Sequence, residues 1–130
     1  MTTTKTANPV VHFEIPVNDP EKAKAFYKIF NWESTEYPGM DYYGVQTTPV
    51  GENRMPLNPG AINGGLMTKT DHVKGPVIAI EVSSVDDFIE KVTQNGGALI
   101  MPKMEIPNMG YYAYIADPEG NILGLWEPMQ

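Results

Sequence analysis

Two carboxylates, a histidine and a group of tyrosines are the side chains of this chain best suited to chemistry. Glu127 ends a run rich in aromatic and β-branched residues, 110–127, just before Pro128. A carboxylate buried at such a strand end costs free energy unless it is paired, hydrogen-bonded or bound to a metal. His12 and Glu14 alternate with Phe13 and Ile15, so a strand over 9–17 sets His12 and Glu14 on one face. Tyr112 and Tyr114 likewise share a face of their strand, and Tyr42, Tyr43 and Met67 are further candidates. Tyrosines present an apolar ring with a hydroxyl at its end, which suits a small organic ligand. His72, beside Asp71 and Lys74 in a polar connection, is expected to be exposed and inert.

Several other chemistries lack their residues. The chain has no cysteine, hence no thiol nucleophile, thiolate ligand or disulfide. Gly64-Gly65 lacks the lysine and the strand-to-helix setting of a phosphate loop. No serine occupies a nucleophile-elbow setting. The net charge of −7 argues against nucleic acid and anionic membrane surfaces as partners. No apolar run approaches the ~20 residues needed to span a bilayer. Residues 1–8 lack the apolar core of a signal peptide and read as a disordered lead-in. The absence of cysteine suits a cytoplasmic protein.

The elements that must position these side chains come in two similar sets. After the first strand, Asp19-Pro20-Glu21 signals a helix start, with Asp19 as N-cap and Pro20 at the first helical position. Ala23, Phe26, Tyr27 and Phe30 recur at helical spacing and predict one buried stripe. Strands follow over 32–37, 41–47 and 61–67, with a proline-rich loop over 49–60 containing Glu52, Asn53 and Arg54. The order then begins again after the polar stretch 68–75. A strand over 76–82 leads to a helix capped by Ser84, with a stripe of Val85, Phe88, Ile89 and Val92. Asn95-Gly96-Gly97 ends that helix. A strand over 98–106, broken by Pro102, precedes a hairpin turning at Asp117-Pro118-Glu119-Gly120-Asn121. Twelve prolines and twelve glycines fit short strands joined by frequent turns. One sheet face per half is covered by a helix, and the other faces must meet each other or a partner.

These residues carry a resemblance: His12-Phe-Glu-Ile15, Asp19-Pro-Glu21 with Phe26-Tyr27 and Phe30-Asn-Trp32, Gly64-Gly-Leu66, Asn95-Gly-Gly97, and Asp117-Pro-Glu-Gly-Asn121 followed by Leu125-Trp-Glu-Pro128. Together they span about 9–128, and the chain resembles the vicinal oxygen chelate superfamily, in its glyoxalase-like subgroup. The resemblance implies an α+β fold, two tandem βαβββ modules (9–67 and 76–128) forming a curved mixed sheet around a cleft, in one domain over 9–128. It implies a homodimer as well. Members that hold a metal use one ligand on the first and one on the last strand of each half. His12 and Glu127 match two of those positions. Aligning Ile15-Pro-Val17 with Ile80-Glu-Val82, and 62–67 with 122–127, puts Val77 and Met67 at the other two, where neither suits a hard divalent ion. Glu14 is then an alternative ligand or a general base beside Glu127. The expectation is a protein that binds a small organic molecule in an aromatic-lined cleft, lacks the full metal site and needs no cofactor. The alternative is a lyase, isomerase or dioxygenase using Ni, Zn, Fe or Mn.

Overall fold

The computed structural model describes residues 7–52 and 56–129. The first six residues of the expected lead-in, and Asn53 and Arg54 of the expected loop, lie outside the described residues. The chain divides into two compact units: Val11–Ile78, and the described residues on either side of it. Each has the same plan, a strand, a helix and three strands, so the fold is α+β with two βαβββ modules.

In the first unit β1 (Val10–Val17) leads to α1 (Pro20–Tyr27), then β2 (Glu33–Glu36), β3 (Tyr42–Gln46) and β4 (Asn63–Thr68). The strand order is β2-β3-β4-β1, with β1 parallel to β4 and the other pairs antiparallel. Asp19 caps α1 as expected, its carboxylate accepting from the Lys22 N–H at 3.1 Å. Phe13, Tyr43, Val45 and Leu66 lie on the helix side of this sheet, with Trp32 packed on Phe13 and Tyr27 stacked on Trp32.

The expected stripe of α1 is only half present. Ala23 and Tyr27 are half-buried, but Phe26 and Phe30 are each 57% exposed. The α-helix stops at Tyr27 and continues as a 3-10 turn, Lys28–Phe30, ending on Asn31 at φ 62°. A 3-10 turn has three residues per turn, so positions past Tyr27 leave the stripe that 3.6-residue spacing predicts. Phe26 and Phe30 lie against each other, ring centroids 6.2 Å apart.

In the second unit β5 (Val77–Glu81) leads to α2 (Val85–Gln94), then β6 (Ala98–Ile106), β7 (Gly110–Ala116) and β8 (Ile122–Pro128), in the order β5-β8-β7-β6. Here the stripe is fully used: Phe88, Ile89 and Val92 of α2 pack on a core of Val82, Val85, Ala113, Ile115 and Leu125. Ser84 accepts from the Asp87 N–H, the predicted cap. β6 bulges on either side of Met101, next to the Pro102 that breaks its pattern. The β7–β8 turn is held by Asp117, whose carboxylate accepts from the Glu119 and Asn121 N–H groups and the Asn121 amide. These bonds, that of the Asn121 side chain foremost, hold its carboxyl below the usual carboxylate pKa.

Candidate functional site

Strand register decides which side chains share a face. In the first unit His12 pairs with Asn63, Glu14 with Gly65, and Tyr42 with Met67, so these six lie on the face away from α1. The His12 Nε2 and the Tyr42 hydroxyl are 2.6 Å apart, a hydrogen bond. Burial lowers the His12 pKa from 6.5 to about 4, so its imidazole is neutral at pH 7. Glu14 is buried, at 5% exposure. The Asn63 side-chain oxygen accepts from the backbone N–H groups of Thr47 and Thr48, at 2.7 and 3.0 Å. Tyr43 falls on the opposite side, where the Lys24 ammonium lies 4.3 Å from its ring centroid. It does not share the face of Met67, another expected ligand-binding residue of this unit, because strand alternation turns it under α1.

In the second unit Tyr112 pairs with Trp126 and Tyr114 with Gly124, all on the face away from α2. The two tyrosines are buried, their rings 4.9 Å apart, and Trp126 lies 6.3 Å from Tyr112. Glu127 pairs with Tyr111 and belongs to the opposite, helix-covered face. Its carboxylate accepts from the Val85 N–H, at 2.8 Å, in the first turn of α2. A carboxylate there satisfies an orphan helix donor and meets the positive end of the helix dipole. Glu127 also borders a cavity of about 280 Å³ with Asn8, Pro9, Glu81 and Ser83.

The registers correct the internal alignment by one residue. Glu14 and Ala79 are equivalent opening-strand positions, and they pair with Gly65 and Gly124. Gly65 therefore corresponds to Gly124, and Met67 to Trp126 rather than Glu127. A one-residue shift in a strand moves every side chain to the other face. At both glycines a Cβ would collide with a tyrosine hydroxyl, that of Tyr42 over Gly65 and that of Tyr112 over Gly124. The two units thus repeat one device, a tyrosine laid across a closing-strand glycine. The short sequence motifs drew attention to the glycines but not to their roofs; the signal available was a tyrosine on the preceding strand of each half.

This donor set does not fit the four-ligand metal site that the resemblance implied. On the helix-free faces the central closing-strand positions are Gly65 and Met67, and Gly124 and Trp126, none with an oxygen or imidazole donor. Val77 is buried and has no donor atom, and Glu127 is turned toward α2. Among the described residues no three His, Cys, Asp or Glu are grouped to hold a metal ion.

Fold and sequence together define the class. Residues 10–125 match the Glyoxalase/Bleomycin resistance protein/Dioxygenase superfamily, and the chain belongs to that family. It is 31% identical over 120 residues to the protein named "Putative glyoxylase CFP32" in Mycobacterium bovis and in Mycobacterium tuberculosis, covering 88% of this chain. The chain spans 43% of the length of those relatives. Methylmalonyl-CoA epimerase from Mycobacterium tuberculosis has a similar fold, with TM-score 0.61 and 18% identity over 100% of this chain and 94% of that one. So does the Streptomyces coelicolor methylmalonyl-CoA epimerase in complex with 2-nitronate-propionyl-CoA, with TM-score 0.63 and 12% identity over 96% and 100%. No helix among the described residues is long and apolar enough to cross a membrane.

Proposed function

We propose that this chain is a binding protein for a small organic molecule, which rests on a tyrosine-bearing, helix-free sheet face without the metal chemistry of its family. The observation that carries the reading is the repeated roof of Tyr42 over Gly65 and Tyr112 over Gly124. It places aromatic hydroxyls where a ligand side chain would need room for a Cβ. Within the first unit Met67 supplies apolar surface and the His12–Tyr42 pair polarity, and within the second Tyr112, Tyr114 and Trp126 form an aromatic face. A metabolite panel against metal-free protein tests it by thermal shift, since a ligand that binds only the folded state raises the melting temperature. No shift across the panel, or shifts that survive Tyr42→Ala and Tyr112→Ala together, sinks the reading.

A second reading, a divalent-metal lyase, isomerase or dioxygenase, is supported by family membership and by His12 and Glu14 sharing one face. Elemental analysis of protein purified without chelator separates the two. About one metal per chain, lost in His12→Ala, would favour the enzyme. We also propose that 9–128 form a single domain and that the protein acts in the cytoplasm as a homodimer. Light scattering that finds only a 14.4 kDa species would end the dimer.

A further inference from the structure

The outer side of α1 is apolar where a solvated helix would be polar. Phe26 and Phe30 are each more than half exposed, and Ile29 between them is 67% exposed. The two rings meet edge to face, and Phe30 also lies 5.9 Å from Trp32, so these side chains form one patch. Together Phe26, Ile29 and Phe30 leave roughly 300 Å² of apolar surface in water, at about 200 Å² for a whole aromatic side chain, a size often reserved for an interaction. The patch belongs wholly to the first unit. Ala25 beside it is exposed too, and its short side chain lets a second helix come close.

The charges around the patch point to its occupant. Glu21 and Lys28 are both exposed and lie seven residues apart, close to two full turns. They therefore flank the patch on one side, the acid at its start and the base at its end. A second such helix turned end for end sets its own Lys28 against Glu21 of the first, and its Glu21 against Lys28. The pattern is self-complementary, as a two-fold interface requires. Glu21 already binds Lys24 at 2.7 Å, and a carboxylate has acceptor sites left for a second cation. Lys22, four residues before Phe26, shares the apolar row, and its long stem suits the rim of such a contact. An anionic membrane would meet Lys22 and Lys28 but also Glu21, on a chain of net charge −7.

We propose that a second copy of this chain docks on this face, α1 against α1 in antiparallel, with Phe26, Ile29 and Phe30 at the centre and Glu21–Lys28 pairs at the edges. The proposal rests on the homodimer reading above and names its interface. It is tested by sedimentation of the full chain from micromolar to millimolar concentration. The unaltered chain should show a 14.4 kDa species that associates to twice that mass. Phe26→Glu should raise the dimer dissociation constant at least about tenfold. Lys28→Glu and Glu21→Lys should each raise it about fivefold, and the two together should bring it back to within about twofold of the starting value. Circular dichroism at the lowest concentration checks that each variant keeps its fold, which exposed side chains allow. An unchanged constant in Phe26→Glu overturns the proposal and leaves a homodimer that joins elsewhere. A double variant no tighter than the single ones overturns it too. An unaltered chain that stays monomeric ends both this proposal and the homodimer reading, and pelleting of that monomer with phosphatidylglycerol vesicles would give the patch to a membrane.

Discussion

The two units follow one plan and fill it differently. In the second, α2 closes over its sheet: Val85 is fully buried, and Phe88, Ile89 and Val92 pack on Leu125 and Ala113. In the first, α1 has no buried residue among those described, and Phe26, Ile29 and Phe30 stand in solvent. The helix-free faces contrast in the other sense. That of the first unit is polar, with His12, Glu14 and Asn63 beside Tyr42, whereas that of the second is built of Tyr112, Tyr114 and Trp126. What stays common is the tyrosine roof over a glycine. The shared backbone device persists while helix packing and polarity diverge, so stability is expected to concentrate in the second unit and recognition in the first.

The largest effect should come from the acid limb of stability. The folded pKa of His12 lies below its unfolded value, so the unfolded chain takes the proton more readily. Stability is then full above about pH 6.5 and declines as pH falls toward about 4, by about 3 kcal/mol if the whole shift is realised. Urea unfolding along that range should show the slope, and His12→Phe should flatten it; an unchanged slope would remove His12 as its cause. Next comes a paired truncation. Phe88→Ala should cost about 2 kcal/mol, short of a full core deletion because the ring is only half-buried. Phe26→Ala should cost under about 0.5 kcal/mol, as exposed positions do. Equal losses in thermal melts would show that α1 is as well packed as α2. The smallest is at Glu127. Glu127→Ala should lower stability by about 1 kcal/mol through the lost helix bond, and Glu127→Gln by less because an acceptor remains. If either instead abolished ligand binding with stability intact, Glu127 would belong to the recognition face after all.

Much of this was written plainly in the chain. Asp19-Pro20 and Ser84 start their helices as their side chains require, and Asp117 to Asn121 folds as the turn its residues describe. The repeated strand–helix–strand order was equally visible. The register of the closing strands was not. Ile122-Leu-Gly-Leu-Trp126 has apolar side chains for both faces, so it lacks the alternation that would fix which way Glu127 points. Only the pairing with β7 does that. Periodicity likewise showed that α1 has an apolar stripe but not how far it would be covered: Phe26, still within the α-helix, and Phe30, in the 3-10 turn, are both exposed. His12 and Glu14 were placed on one face by alternation alone, whereas the bond from His12 to Tyr42 joins residues far apart in sequence.

The Asn63 amide has a consequence for how this chain could vary. Its oxygen gathers the Thr47 and Thr48 N–H groups at the mouth of the excursion between β3 and β4, while the Thr47 hydroxyl donates to the Ile62 carbonyl. Both ends of that excursion are therefore tied before the loop itself begins. Closing a longer loop across a fixed neck costs only a logarithmic increment in entropy. The segment beyond Thr48 is thus an insertion port, a place where length and sequence can change, by evolution or by grafting, while the strands carrying Tyr42 and Gly65 keep their register.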